Sequence, residues 1–171
     1  MAVNRYINHL VVFLEDEPYR DIMNGIKLSI NTNHNTIDTK KPSGGWRNVF
    51  EDLRDNLHLL GKYSKCYILL LMDFDDKDKN SLSSFEKRMD MLNNIVPQEY
   101  ADRVFLLGVN HKESEDLKKL FNSPDFEKIG QKLVKDCPEG DLSIWENDVL
   151  MCNLSEIGRM KKANIFEWLF R

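Results

Sequence analysis

The stretch of sequence that decides the fold is Tyr67-Ile68-Leu69-Leu70-Leu71-Met72-Asp73-Phe74-Asp75. Its first six residues are apolar without alternation, which is typical of a parallel β-strand covered by helices on both faces. Two carboxylates follow at once. In parallel sheets, ligands bind beyond the carboxyl ends of the strands, so this segment predicts both a central strand and a site at its end.

Shorter apolar segments on both sides of this strand predict three further strands, at residues 10–14, 36–38 and 104–107. Apolar residues recur at helical spacing between the strands, in 22–30, 46–60 and 82–92. Strands that alternate with helices favour a parallel sheet with right-handed crossovers. We therefore predict a three-layer α/β fold: a mainly parallel four-stranded sheet with helices on both faces, over about residues 8–110.

From residue 111 to 171 the pattern is helical only. Apolar residues recur at spacings of three and four in 117–121, 126–133 and 142–152. The segment 164–170 is too apolar to stay in solvent, and we expect it to dock on the body. No linker or repeat interrupts the chain, so residues 1–171 are predicted to form a single domain with a helical C-terminal extension.

Composition and charge limit the function classes. The 171 residues include 24 Lys and Arg against 28 Asp and Glu, a net charge of −4. Contact with nucleic acid therefore requires a local basic patch. Cys66, Cys137 and Cys152 lack metal-binding spacing and are interpreted as thiols in a reducing compartment. No secretion signal or membrane-length apolar run is present, which predicts a cytoplasmic protein without membrane contact.

Carboxylates follow two of the predicted strands. Glu15 opens an acidic run after the first strand, and Asp73 and Asp75 follow the third. If these strands are neighbours, the like charges raise each other's pKa unless a cation neutralises them, and Mg²⁺ or Mn²⁺ suits that role. The spacing of two lets Asp73 and Asp75 point the same way while the chain is extended. The alternative is that these acids belong to solvated loops and helix starts.

The segments 11–17 and 68–75 resemble the Toprim domain of topoisomerases, bacterial primases, OLD-family nucleases and recombination-repair proteins, which carries a Glu after its first strand and an Asp-x-Asp after its third. The resemblance implies that Glu15 is an acid/base or metal-site residue and that Asp73 and Asp75 are the Mg²⁺ pair. We add Asp76 as a further candidate ligand. The chain departs from the family in having Asp16 after the glutamate, where many members have Gly.

The resemblance implies Mg²⁺-dependent phosphodiester chemistry on nucleic acid, such as nicking or cleavage, with a partner protein as a source of further domains. Two alternatives remain open. The segment 13–18 also resembles the first acidic cluster of a response-regulator receiver. This second resemblance implies that Asp73 is the phosphoacceptor of a metal-responsive switch. The third hypothesis is a non-catalytic interaction module.

A basic, glycine-containing loop follows the second predicted strand and opens the second helix. Its candidate phosphate-binding residues are Lys40, Lys41, Gly44, Gly45 and Arg47. Backbone N–H groups and the helix dipole at such a place favour an anion. The loop lacks the spacing of a phosphate-loop motif, and the alternative is a plain turn with Ser43 as a helix cap.

One more acid follows the fourth predicted strand. Glu113 is a candidate second-metal ligand or water-positioning residue. The alternative is that Glu113, Glu115 and Asp116 are first-turn acids of the next helix, where they favour the positive end of the helix dipole.

Overall fold

The computed structural model describes residues 3–75, 81–110 and 114–171. The strands are β1 (His9–Leu14), β2 (Ile37–Thr39), β3 (Cys66–Asp73) and β4 (Val104–Val109). The helices are α1 (Glu17–Leu28), α2 (Trp46–Asn56), α3 (His58–Lys62), α4 (Phe85–Ile95), α5 (Asp116–Leu120), α6 (Phe126–Val134), α7 (Leu154–Lys162) and α8 (Ile165–Leu169). No helix in the described ranges is long and apolar enough to cross a membrane.

The four strands form one parallel sheet in the order β2-β1-β3-β4. Leu14 pairs with Leu71, and Leu71 pairs with Leu107, so β1, β3 and β4 end at the same edge. All residues of β1 and β4 are buried, as the unbroken apolar runs predict. The predicted three-layer α/β fold is confirmed.

Two apolar layers cover the two faces of the sheet. Leu10, Val12 and Leu14 point into one layer, which α1, α6 and the C-terminal helices complete. Val11 and Phe13 point into the other, which α2, α3 and α4 complete. The alternation follows from the two-residue period of a strand. The C-terminal segment thus shares one core with the sheet, and α8 docks on the body as predicted.

Glycines let α1 and α6 pack at close range. A Cβ on Gly25 would lie 1.9 Å from the carbonyl oxygen of Glu127, and a Cβ on Gly130 would lie 2.1 Å from that of Ile22. Neither position tolerates a side chain unless the helices move apart. This contact holds α1, and with it the start of the acidic edge, against the C-terminal part of the chain.

Side chains cover the outer edge of β4, where strand pairing ends. Asn153 accepts a hydrogen bond from the Gly108 N–H at 2.8 Å and donates one to the Gly108 carbonyl oxygen, also at 2.8 Å. Glu156 accepts from the Leu106 N–H at 3.0 Å. These contacts replace a neighbouring strand for the Leu106 N–H and for both backbone groups of Gly108.

The predicted helix boundaries are wrong in three places. Ile30 is 88% exposed because Ser29 turns extended and ends α1 at Leu28. The helix predicted from residue 82 begins at Phe85, since Ser84 caps it through the Lys87 N–H. The stripe predicted over 46–60 is two helices, broken at Leu57.

The segment 142–152 is not the predicted α-helix. It forms short 3₁₀ helices at Ser143–Trp145 and Met151–Asn153. The side chain of Asn147 accepts from the N–H groups of Val149 and Leu150 and donates to the Ile144 carbonyl oxygen. This local bonding offers the backbone an alternative to a continuous helix.

Candidate acidic site at the carboxyl end of the sheet

Glu15 and Asp73 meet where β1 and β3 end side by side. The Asp73 N–H donates to Glu15 Oε2 at 2.9 Å, and the Glu15 N–H donates to the Leu71 carbonyl oxygen at 3.0 Å. Both acidic side chains are half-buried. The juxtaposition that the sequence predicts for these two residues is therefore present.

Asp73 is held by two donors from distant parts of the chain. Tyr19 Oη donates to Asp73 Oδ1 at 2.6 Å, and the backbone N–H of Ser114 also donates to this carboxylate. Burial is the main reason that the pKa of Asp73 is raised to about 7. The Tyr19 hydrogen bond lowers this pKa, and the negative charge of Glu15 raises it further. A carboxyl with this pKa exchanges its proton near neutral pH, so a bound cation would compete with a proton there.

Glu15 lies at the start of α2. Its carboxylate accepts from the Trp46 N–H as well as from Asp73, and Trp46 is the first residue of that helix. Gly45, at the N-cap, provides no side-chain bond, so Glu15 supplies the negative charge that a helix start favours. Burial raises the pKa of Glu15, and these two backbone donors oppose the rise.

Arg88 brings a buried cation to the same edge. It is 1% exposed, its guanidinium carbon lies 3.7 Å from the centre of the Trp46 ring, and its Nε donates to the Leu82 carbonyl oxygen at 2.6 Å. Burial lowers its pKa to about 10, and the charge of Glu15 raises it. The side chain is thus still charged at neutral pH and offsets part of the acidic charge.

Sequence reasoning missed Tyr19 and Arg88. Both lie on apolar helical stripes: Tyr19 with Ile22 on α1, and Arg88 with Phe85 and Leu92 on α4. In the sequence, Tyr19 cannot be distinguished from an ordinary core residue. Arg88 could have been found, because a cation three residues after Phe85 on a buried helix face needs a charged partner.

Among the residues described, the structure does not place the other predicted metal ligands beside Glu15 and Asp73. Asp75 is exposed, and its N–H donates to the Ser83 carbonyl oxygen at 2.8 Å. Phe74, between the two aspartates, is buried, as predicted. Asp76 and Glu113 lie outside the described residues. Asp116 is in the first turn of α5 and Glu115 directly precedes it, as the alternative for these acids expects.

Within the described ranges, no group of three His, Cys, Asp or Glu side chains is arranged to hold a metal ion. Mg²⁺ commonly needs fewer protein ligands, since it takes one or two carboxylates together with water and substrate phosphate. Glu15 and Asp73 fit that smaller set because both offer hard oxygen donors at the same edge of the sheet.

The predicted phosphate loop is tied to β1. The Ser43 and Gly44 N–H groups donate to the carbonyl oxygens of Leu14 and Glu15, each at 2.9 Å. Gly44 and Gly45 have φ of 81° and 143°, which favour glycine. The N–H groups of Ser43, Gly44 and Trp46 are thus used within the chain, which departs from the expectation of free donors. Ser43 bonds Asp52 and is not the helix cap.

The cations of this loop differ in their surroundings. Lys40 forms an ion pair with Asp38 at 2.7 Å, Arg47 lies over the Trp46 ring at 4.9 Å, and Lys41 is exposed. Their role in phosphate binding stays a prediction.

Comparison with models of known protein families, with curated proteins and with solved structures found no match. The resemblances to Toprim and receiver domains therefore stay predictions from the sequence.

Proposed function

We propose that this chain carries out Mg²⁺-dependent cleavage or nicking of phosphodiester bonds in nucleic acid at the edge formed by Glu15 and Asp73. One observation carries the proposal: the Asp73 N–H donates to Glu15 Oε2 at 2.9 Å, which brings two half-buried acids together at the carboxyl end of a parallel sheet. Burial raises the pKa of both acids, and a divalent cation would offset the cost of keeping them ionised there.

Mg²⁺ or Mn²⁺ would be held by Glu15 and Asp73, with Asp75 and Asp76 as further candidate ligands. When bound, the ion would stabilise the negative charge that builds up on a phosphoryl oxygen. Tyr19 orients the Asp73 carboxylate through its 2.6 Å hydrogen bond. Arg88 adds positive charge from the α4 side, where its field acts on both acids.

Glu15 is the acid/base candidate. Burial raises its pKa above the ordinary value, which favours uptake of a proton by this carboxylate. Its backbone donors at Asp73 and Trp46 fix the carboxylate, so a proton is taken or released at a set position.

The test incubates the pure chain with single- and double-stranded DNA and RNA in Mg²⁺, Mn²⁺ or chelator, beside Glu15→Gln, Asp73→Asn and Asp75→Asn. Asp90→Asn is the matched control, because Asp90 is exposed on α4. We expect metal-dependent cleavage by the wild type and the control and its loss in Glu15→Gln and Asp73→Asn.

Cleavage that persists in Asp73→Asn contradicts the proposal, because it does not come from this site. Inertness of every protein also contradicts it. In that case beryllofluoride bound at Asp73 would indicate the phosphoacceptor alternative, and its failure to bind would indicate the interaction module.

A further inference from the structure

A groove of about 500 Å³ lies between α1 and the segment that follows β2. Glu17, Arg20 and Lys27 line it from α1, at a spacing that places them along one side of the helix. The opposite wall is formed by residues 39–42. The groove lies beside β2, the edge strand of the sheet.

Positive charge is concentrated in this groove, although the chain as a whole has a net charge of −4. Its lining holds four cations and one acid. Arg20 pairs with Glu17 and Asp21, and Lys40 pairs with Asp38. In the part of the chain that the structure describes, Lys27 and Lys41 form no ion pair, so these two lysines supply the excess charge.

The wall of the groove contains an unsatisfied hydroxyl. Among the described residues, Thr39 Oγ1 is buried and has no hydrogen-bond partner. A buried hydroxyl without a partner costs free energy. As the side chain stands, this oxygen is closed off from solvent, so donation to a ligand in the groove would require rotation about χ1, which Thr39→Val tests.

The groove leads to the acidic edge. The N–H groups of Lys40 and Gly44 donate to the carbonyl oxygens of Val12 and Glu15, each at 2.9 Å. The segment 40–44 therefore runs along the end of β1 from the groove to Glu15. On the other wall, Glu17 begins α1 two residues after Glu15. A chain of phosphates in the groove would reach the site of the proposed chemistry.

We propose that this groove binds the sugar–phosphate backbone of the nucleic-acid strand on one side of the bond that is cleaved, an inference that rests on the proposed function. Glu17 and Lys27 are ten residues apart on α1, or about 15 Å, so the groove is long enough to contact more than one phosphate of a strand. Recognition by lysines and a hydroxyl reads phosphate and not bases, so binding is independent of sequence and weakens with salt.

The test measures binding of labelled duplex and single-stranded oligonucleotides by fluorescence anisotropy, in chelator, so that neither metal nor cleavage contributes. The groove variant is Lys27→Gln with Lys41→Gln. The matched control is Lys65→Gln with Lys128→Gln, which removes equal charge from exposed positions outside the groove. Thr39→Val tests the hydroxyl.

We expect the groove variant to bind at least tenfold more weakly at about 0.1 M salt, with a salt slope smaller by about 2, and the control to bind as the wild type does. Equal affinities of the two double variants would overturn the inference. Weakened binding by the groove variant with no cleavage by any protein would leave the groove in place and reject the proposed function. Unchanged binding by the groove variant, together with cleavage that Asp73→Asn abolishes, would reject the groove as the binding site and support the proposed function.

Discussion

The hydroxyl of Tyr19 bridges two strand ends: it donates to Asp73 Oδ1 at 2.6 Å and accepts from the Val109 N–H at 3.1 Å. Tyr19 is 3% exposed, so water does not compete for these bonds. A side chain of α1 therefore sets the position of the Asp73 carboxylate relative to β4. The acidic edge depends on this contact as much as on the acids themselves.

Tyr19→Phe should raise the pKa of Asp73 above about 7, because the lost hydrogen bond stabilises the ionised carboxylate. It should also lower the free energy of unfolding by about 1–3 kcal/mol, since the Val109 N–H is left without its partner. An NMR titration of the Asp73 carboxyl carbon and urea denaturation measure the two effects. Tyr67→Phe, on a tyrosine that packs against Trp168, is the control. An unchanged pKa in Tyr19→Phe would show that the hydroxyl does not act on Asp73.

The stability of the fold should fall as the pH rises through the pKa of Asp73. Folding raises this pKa from 3.8 to about 7, so the folded chain holds the proton more tightly than the unfolded chain does. The stabilising contribution is fully present below pH 3.8 and is lost as the pH rises through about 7. Asp73→Asn removes this dependence.

Urea denaturation of the wild type and Asp73→Asn at about pH 5 and about pH 8 checks this expectation. The wild type should lose stability relative to the variant at the higher pH. Added Mg²⁺ at that pH should restore stability to the wild type alone, because a ligand of the folded state stabilises it. A constant difference between the two proteins at both pH values would contradict the raised pKa.

Gly108→Ala should destabilise the chain by about 2 kcal/mol or more, because the added Cβ would lie 1.7 Å from the Met72 carbonyl oxygen. The strands must separate just before Asp73, so cleavage should fall as well. Gly158→Ala in α7 is the control: nothing lies within 4 Å of its Cβ, and the change should stabilise by about 0.5–1 kcal/mol. Thermal unfolding distinguishes the two, and equal effects would show that β3 and β4 are not packed this closely.

Asn153→Ala should cost about 2–4 kcal/mol, since it leaves the buried N–H and carbonyl oxygen of Gly108 without partners. The exposed Asn93 of α4, changed to Ala, should have little effect. Hydrogen exchange of the Gly108 amide provides a local measurement and should accelerate in Asn153→Ala. Unchanged protection would mean that the Asn153 side chain does not hold the β4 edge.

The sequence predicted the sheet because β1, β3 and β4 are continuous apolar runs, a pattern that a strand covered on both faces requires. It predicted the meeting of Glu15 and Asp73 because parallel neighbours expose their carboxyl ends at the same edge. The same reasoning could not find Tyr19, whose hydroxyl acts across 54 residues of sequence from a position that otherwise reads as core.

Local side-chain bonding explains the failures in helix prediction. Apolar spacing detects one buried face, but it does not detect the residue at which the backbone turns. Ser29 and Asn147 end or prevent helices through their own backbone conformation and hydrogen bonds. The hydrogen bond from the Gly44 N–H to the Glu15 carbonyl oxygen is likewise a tertiary contact that the loop sequence does not reveal.

A metal site at Glu15 and Asp73 can be measured through Mn²⁺ binding, followed by electron paramagnetic resonance at about pH 8, where Asp73 is largely ionised. We expect saturable binding by the wild type and by Asp90→Asn, and at least tenfold weaker binding by Glu15→Gln and by Asp73→Asn. Binding that neither substitution weakens, or no saturable binding by the wild type, would contradict a metal site at these residues.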